Sequence, residues 1–134
     1  MKAVFADTAF FLALINSRDQ YHLRARELNA SLEAPLLTTG WIMLELGNAL
    51  SASRSRRHFE HLLKRLEAAP NVEVIPVDAS LFDRGCELYF ERGDKEWSLT
   101  DCISFVIMKD HDLTEALTAD HHYAQAGFST LLTA

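Results

Sequence analysis

The sequence contains few cysteines and no long hydrophobic run. Its two cysteines, Cys86 and Cys102, fall in separate helical segments and lack the spacing of a zinc site. No window reaches the roughly 20 consecutive apolar residues of a membrane helix. Asp7 interrupts the apolar opening stretch, which also lacks the cleavage pattern of a signal peptide. These absences predict a soluble protein of a reducing compartment, the cytoplasm, with no membrane partner.

Glycine-rich loops and an excess of positive charge are also missing. None of the five glycines builds a phosphate-binding loop after a strand, and there is no Gly-x-Ser-x-Gly turn. This disfavours a dinucleotide-binding protein, a P-loop enzyme and a serine hydrolase. The formal net charge is -6, so any contact with nucleic acid needs a local basic patch or a bridging metal ion.

The hydrophobic pattern predicts one domain, residues 1–134, in which strands alternate with helices. Hydrophobic residues make up 49% of the chain, enough for a buried core. This alternation predicts the α/β class, with a central, mainly parallel sheet of four to five strands and helices on both faces. The predicted strands are Ala3–Ala6, Leu36–Thr38, Val72–Val77, Ala116–Thr118 and Ser129–Leu132. The predicted helices are Thr8–Ile15, one around Tyr21–Leu32, Trp41–Ala52, Arg54–Ala68, Ala79–Phe90, Leu99–Met108 and Asp120–Ala126.

Four carboxylates stand at positions where an acid is costly. Asp7 ends the first strand, Asp120 follows the fourth strand, Glu45 lies in the apolar helix GWIMLELGNAL, and Asp101 opens the near-apolar segment DCISFVIM. Buried acids destabilise a fold unless they are paired or bind a cation. Strands one and four of a doubly wound sheet end side by side, where ligands bind. The pattern predicts a site for Mg²⁺ or Mn²⁺, which prefer oxygen ligands.

Each acid also has a purely structural explanation. Asp7 and Asp120 are placed to cap the helices that follow them. Asp101 completes a capping box with Ser98. Glu45 belongs equally well to a polar stripe along its helix. Both interpretations stay open for each residue taken alone.

At these residues the chain resembles a PIN domain, and in particular a VapC-type toxin nuclease. The resemblance covers nearly the whole chain through the blocks VFADTAFFLAL, WIMLELGNAL, WSLTDCISFVIM and ALTADHHYAQAGFSTLL. It implies a three-layer, Rossmann-like PIN fold and a metal-dependent endoribonuclease. The acids that it implies for catalysis and metal binding are Asp7, Glu45, Asp101 and Asp120. It also implies supporting hydroxyl groups at Thr8 and Thr118.

The resemblance further implies partners. A VapC-type toxin cuts RNA, is blocked by a small antitoxin on a separate chain, and usually forms a homodimer. Two alternatives stay open: a PIN nuclease that processes RNA without an antitoxin, and a non-catalytic RNA-binding module. The latter predicts that the acids tolerate replacement.

Several further residues are candidates for contact with RNA. Arg54, Arg56 and Arg57 form the densest basic patch, and a solvated helix face is the alternative interpretation. Trp97 follows a polar loop and is predicted to stack on a base. One histidine of the pair His121 and His122 is expected near the acids or the phosphate, with mixed surface exposure as the alternative.

Overall fold

The computed structural model describes residues 1–134 and contains one five-stranded sheet. All of its strands run parallel, in the spatial order β3-β2-β1-β4-β5. The strands are β1 Val4–Ala6, β2 Leu36–Thr39, β3 Val72–Ile75, β4 Glu115–Leu117 and β5 Ser129–Thr130. The predicted α/β class and parallel sheet are therefore confirmed.

Seven helices connect and flank these strands. They are α1 Thr8–Ile15, α2 His22–Ser31, α3 Gly40–Ala49, α4 Arg56–Ala68, α5 Ala79–Glu91, α6 Leu99–Asp110 and α7 His121–Gln125. None of them combines the length and the apolar character that a membrane crossing would require. The short connections leave most of the chain in regular elements, as the absence of linker-like segments predicts.

The central strand β1 is the point where the order of strands reverses. It pairs with β2 on one side, through Val4 and Leu36, and with β4 on the other, through Phe5 and Ala116. All three residues of β1 are buried, as expected for a strand covered on both faces. The carboxyl ends of β1 and β4 therefore lie side by side, which is where open α/β sheets bind ligands.

Helix α6 is the most buried helix and packs closely against α5. Seven of its residues are buried, among them Asp101 and Ser104. A Cβ atom at Gly85 of α5 would lie 2.3 Å from Cγ1 of Ile103 in α6. Only a glycine lets the two helix backbones approach this closely. The contact fixes the position of α6, and with it the position of Asp101.

Most element ends lie within a few residues of their predicted positions. Strand β3 ends at Ile75 and not at Val77, because Pro76 has no N–H group to donate to a neighbouring strand. Helix α3 ends at Ala49, and α4 begins at Arg56, because the residues between them form turns closed by a hydrogen bond from Ser55 N to Ala52 O.

Candidate active site

Asp7 is a buried carboxylate at the carboxyl end of β1. It occupies the N-cap position of α1, but its side chain makes no capping hydrogen bond. Its Oδ2 atom accepts a hydrogen bond of 2.9 Å from Thr118 Oγ1, at the end of β4. The side chain of Asp7 is thus directed to the neighbouring strand, and helix capping does not account for an acid at this position.

Glu45 is held by the hydroxyl group of Thr8, the residue that follows Asp7. Thr8 Oγ1 donates a hydrogen bond of 2.7 Å to Glu45 Oε1. Thr8 is the first residue of α1 and directly follows Asp7, whereas Glu45 lies in the middle of α3. The contact joins two helices and brings Glu45 to the carboxyl edge of the sheet.

Asp101 serves both as a helix cap and as part of the acidic cluster. It forms a capping box with Ser98: Asp101 N donates to Ser98 Oγ at 3.0 Å, and Ser98 N donates to Asp101 Oδ2 at 3.1 Å. The same Oδ2 atom lies 3.1 Å from Nδ1 of His122. The capping interpretation is therefore correct for Asp101, and the capping geometry also aims its carboxylate at α7.

Asp120 caps α7 and is linked to Asp7 through one threonine. Its Oδ1 atom accepts from His122 N at 2.9 Å. Asp120 N donates to Thr118 Oγ1 at 3.0 Å, and that hydroxyl in turn donates to Asp7. Thr118 therefore fixes the first and the last acid of the sequence relative to each other.

His122 is the histidine that approaches the acids. Its Nδ1 atom lies 3.1 Å from Asp101 Oδ2 and 3.4 Å from Asp120 Oδ1, whereas the His121 side chain is largely exposed. An imidazole between two carboxylates reduces their mutual repulsion when it carries a proton. The sequence indicates this contact only weakly. Its one sign is a histidine two residues after an aspartate that caps a helix, because the first turn of the helix brings that ring close to the cap.

Burial dominates the electrostatics of the acidic cluster. Burial raises the pKa of the Asp7 carboxyl from 3.8 to about 6, against the hydrogen bonds from Thr118 and the Thr8 backbone, which lower it. Burial is also the largest cause of the raised pKa of Asp101, and the charge of Asp120 raises it further. The acids lie close enough to repel one another, which a bound cation would relieve.

The donor atoms of the cluster fit a hard divalent cation. They are carboxylate oxygens and the imidazole nitrogens of His121 and His122, with no thiolate, a set of donors that suits a divalent cation. The ligand atoms of Asp120, His121 and His122 all lie within 4.8 Å of one another, and no other such group of three occurs in the chain. The four acids are therefore spread more widely than one set of direct ligands. Some of these acids would therefore contact a bound divalent cation through water.

Trp97 does not offer a face for base stacking, so this prediction is wrong. The side chain is only 6% exposed. Its Nε1 donates to Gln125 Oε1 at 3.0 Å, and its ring packs edge-to-face on Phe105. The guanidinium of Arg92 lies over the ring, 5.1 Å from its centroid. Trp97 is buried because it packs on Phe105 of the near-apolar helix α6. The polar residues next to Trp97 in the sequence do not indicate this burial.

The basic patch lies around the start of α4. Arg54, Arg56 and Arg57 are exposed, and Arg56 Nε donates to Ser51 O at 2.8 Å. Helix α4 leads into the amino end of β3. The contact of Arg56 with Ser51 places the start of α4 beside the residues that follow α3.

A second basic feature is a groove between α1, α2 and α4. Its volume is about 760 Å³, and Phe10, Phe11, Leu62 and Leu66 contribute to its apolar wall. Two arginines and three histidines also line the groove, and no carboxylate does: Arg26, Arg65, His22, His58 and His61. The two arginines and three histidines lie in two helices that are far apart in the sequence. The groove is therefore not predicted from the sequence.

The fold and the acidic cluster define the class of protein. Residues 4–129 match the PIN domain model, and the chain belongs to this family. Among curated proteins it is similar to the 23S rRNA-specific endonuclease VapC20 of Mycobacterium tuberculosis, with 27% identity over 125 residues that cover 93% of this chain and 95% of the relative.

Solved structures agree with this assignment. The crystal structure of Mycobacterium tuberculosis VapC20, described as a sarcin-ricin loop cleaving toxin, superposes with a TM-score of 0.85 at 26% identity, over 94% of this chain and 96% of that one. FitAcB of Neisseria gonorrhoeae superposes with a TM-score of 0.66 at 19% identity, over 95% of each chain. The latter likeness concerns the fold alone.

Proposed function

We propose that this chain is a divalent-metal-dependent endoribonuclease that acts in the cytoplasm as the toxin of a type II toxin–antitoxin pair. The observation that carries the proposal is the side chain of Asp7. It is buried, it is not used as a helix cap, and Thr118 holds it where β1 and β4 end. The similarity to an endonuclease specific for 23S rRNA supports the reaction class.

The proposed metal ligands are Asp7 and Asp101, either directly or through water. When bound, Mg²⁺ or Mn²⁺ supplies positive charge to the scissile phosphate and lowers the pKa of a coordinated water. Thr118 restricts the rotation of the Asp7 carboxylate, and the capping box does the same for Asp101. A carboxylate that is already oriented loses less entropy when it binds a cation.

The other two acids have supporting roles in this proposal. Glu45 either ligates the cation or accepts a proton from the attacking water, and Thr8 holds it in place for either task. Asp120 either orients waters or holds a second cation. His122 lies between Asp101 and Asp120 and keeps the two carboxylates at a fixed separation.

The test is RNA cleavage by the purified protein. Total RNA, with 23S rRNA followed specifically, is incubated with Mg²⁺, with Mn²⁺ or with EDTA, and the ends of the fragments are mapped. We expect cleavage at few sites, only with metal. Asp7→Asn and Asp101→Asn conserve side-chain size and are expected to abolish cleavage while the circular dichroism spectrum stays that of the native protein. Full activity in both variants would contradict the assignment and would favour a non-catalytic binding module.

The basic patch is proposed to contact the RNA backbone. Arg56→Ala combined with Arg57→Ala removes two exposed charges from the first turn of α4. We expect weaker RNA binding, with a shallower dependence of log K on log salt, because fewer counterions are released. The matched control is Lys64→Ala, farther along α4. Equal binding by the double variant and the native protein at every salt concentration would reject the contact.

The antitoxin is proposed to bind the groove between α1, α2 and α4. An apolar wall with two arginines and three histidines, and without a carboxylate, complements an amphipathic helix with acidic side chains. Arg26→Glu with Arg65→Glu is expected to weaken the complex with a small protein encoded beside this chain, with RNA cleavage by the free toxin unchanged. If no such neighbouring gene exists, a PIN nuclease that processes RNA without an antitoxin becomes the better interpretation.

A homodimer is also proposed, through an apolar surface at α3 and α5. Leu44, Val77 and Phe82 are exposed by 60%, 62% and 43%. Val77 lies against the first turn of α3 at Gly40, one turn before Leu44, and Phe82 lies in the first turn of α5, five residues after Val77. Sedimentation equilibrium of the native protein and of Phe82→Lys tests the surface. We expect a dimer for the former and a shift to monomer for the latter.

A further inference from the structure

Two buried hydroxyl groups beneath the acidic cluster have no hydrogen bond of regular geometry. They are Tyr123 Oη and Ser104 Oγ. Tyr123 is fully buried and Ser104 is 1% exposed. Unpaired buried hydroxyls destabilise a fold, and native proteins rarely keep them without a reason. A phenylalanine and an alanine would fill the same space without this cost, so the two hydroxyl groups need an explanation.

Both hydroxyl groups belong to helices that carry the acids. Tyr123 lies in α7, three residues after Asp120, and Ser104 lies in α6, three residues after Asp101. Residues three apart share one side of a helix. The Ser104 hydroxyl therefore lies on the same side of α6 as the Asp101 carboxylate, and Tyr123 lies one turn after the Asp120 cap.

The ring of Tyr123 is held in a fixed position. It packs at 88° against Phe105, with 4.9 Å between the centroids, and its centroid lies 6.3 Å from that of Phe5 in β1. The backbone of Tyr123 is held as well, because its N–H donates to Asp120 O and its carbonyl accepts from Phe128 N. A ring locked on all sides directs its hydroxyl group at one place only.

The carboxylate of Asp7 lies on the side of Tyr123 that faces β1, because Tyr123 packs near Phe5 and Asp7 follows Phe5 by two residues, on the same face of the sheet. Burial is the largest cause of the raised pKa of the Tyr123 hydroxyl, and the charge of Asp7 raises it further, whereas Tyr123 lowers the pKa of the Asp7 carboxyl against the larger effect of burial. The Ser104 hydroxyl has the opposite effect on Tyr123, whose pKa it lowers.

We propose that Tyr123 is a positioning residue for Asp7, and that Ser104 orients the Tyr123 hydroxyl. In this arrangement Ser104 Oγ–H donates to Tyr123 Oη, and Tyr123 Oη–H donates to the Asp7 carboxylate from its buried side. Thr118 already donates to Oδ2 of Asp7. Two donors fix both the rotation and the tilt of the carboxylate, which prepares it to bind a cation. This inference rests on the proposed function, since it assigns Asp7 as a metal ligand.

The test measures Mn²⁺ binding by calorimetry, together with the melting temperature of the metal-free protein in EDTA. Tyr123→Phe removes only the hydroxyl group. We expect the Kd for Mn²⁺ to rise about 10- to 100-fold, the usual effect of losing a hydrogen bond to a metal ligand. The melting temperature in EDTA is expected to fall by a few degrees at most, because the variant loses the donor to Asp7 but no longer buries a hydroxyl group. Tyr89→Phe, on the exposed face of α5, is the matched control and should change neither quantity.

Ser104→Ala tests the second half of the proposal. Alone it should weaken Mn²⁺ binding by a smaller factor than Tyr123→Phe. Added to Tyr123→Phe it should have no further effect, because the hydroxyl through which Ser104 acts is then already missing. Fully additive effects of the two substitutions would contradict the relay from Ser104.

The outcomes separate this inference from the proposed function. If Tyr123→Phe binds Mn²⁺ as tightly as the native protein, the positioning role is wrong, whatever the native protein does to RNA. A lower melting temperature in EDTA with unchanged Mn²⁺ affinity would assign the hydroxyl group to packing alone. If the native protein binds Mn²⁺ and cuts no RNA, the proposed function fails while the positioning role is still decided by affinity. A native protein that does not bind Mn²⁺ contradicts both.

Discussion

Asp7 shows at the scale of one residue how a candidate functional group opposes stability. Its carboxylate is 7% exposed, and burial raises its pKa from 3.8 to about 6. A protein selected only for stability would carry an amide or a small apolar side chain here. The unfavourable burial is understandable if a cation compensates the charge in the working protein.

This leads to a prediction about the metal-free protein. The folded state binds the Asp7 proton more strongly than the unfolded state does. The contribution of Asp7 to the free energy of unfolding is therefore most favourable below pH 3.8 and is lost as the pH rises through about 6. Above that pH the charged carboxylate destabilises the fold by about 3 kcal/mol. Asp7→Asn should therefore raise the free energy of unfolding in EDTA at pH 7 by up to this amount.

Urea denaturation of both proteins between pH 4 and pH 8 checks this expectation. The difference between the two proteins isolates Asp7 from other carboxyl groups such as Asp94, whose pKa is lowered by Arg92 and whose contribution therefore has the opposite sign. A variant that is less stable than the native protein at pH 7 would show that Asp7 contributes favourably even without a cation.

At the scale of elements, helix starts place the candidate acids. Helices α6 and α7 each begin at an aspartate-containing cap, and the cap geometry fixes where that carboxylate points. Asp101 and Asp120 thus stabilise their helices and face the same space. The two interpretations that the sequence leaves open, cap or ligand, are compatible for these two residues.

Helix α6 also depends on its contact with α5. Gly85→Ala places a Cβ atom 2.3 Å from Ile103 Cγ1 and 3.2 Å from Ile103 Cα, so the helices must separate. We expect a loss of about 1–3 kcal/mol in the free energy of unfolding, typical of overpacking. Metal affinity should fall as well, because Asp101 moves with α6.

The matched control for this prediction is Gly93→Ala. A Cβ atom at Gly93 meets nothing within 4 Å. Its stability in urea should stay within about 0.5 kcal/mol of the native protein, as for most surface substitutions. Equal effects at Gly85 and Gly93 would show that the close approach of α5 and α6 does not limit stability.

At the scale of the whole molecule, the order of strands in the sheet brings residues that are distant in the sequence together in one site. Thr118 and Asp7 are 111 positions apart in the chain, and their hydrogen bond exists because β4 pairs directly with β1. Glu45 joins them only through the contact between α1 and α3. The site therefore forms only when the whole sheet has formed, and a ligand that binds it stabilises the entire fold.

Thermal unfolding in Mn²⁺ and in EDTA tests this coupling. A cation that binds only the folded state adds about 2.7 kcal/mol of stability at a free concentration of 100 times its Kd. We expect a clear rise in melting temperature with Mn²⁺ for the native protein and almost none for Asp7→Asn. A similar rise in both proteins would place the cation elsewhere, for example at Asp120, His121 and His122 alone.

Much of the fold could be predicted from the sequence. The apolar runs that end at Ala6, Leu37 and Leu117 are too short for helices and are buried on both faces, so their strand character is encoded locally. The capping box of Ser98 and Asp101 is likewise a pattern over four residues. Local patterns are sufficient here because the backbone hydrogen bonds that they specify are themselves local.

Only the tertiary structure decided what the side chains contact. Trp97 follows a polar loop and is nevertheless buried, since α6 lies over it, and His122 lies between two acids because α6 and α7 meet there. The sequence by itself determined the four acids, their order and the parallel sheet. Whether Asp7 serves as a cap or faces the site was decided by Thr118 on the neighbouring strand, because strand pairing depends on packing of the entire core.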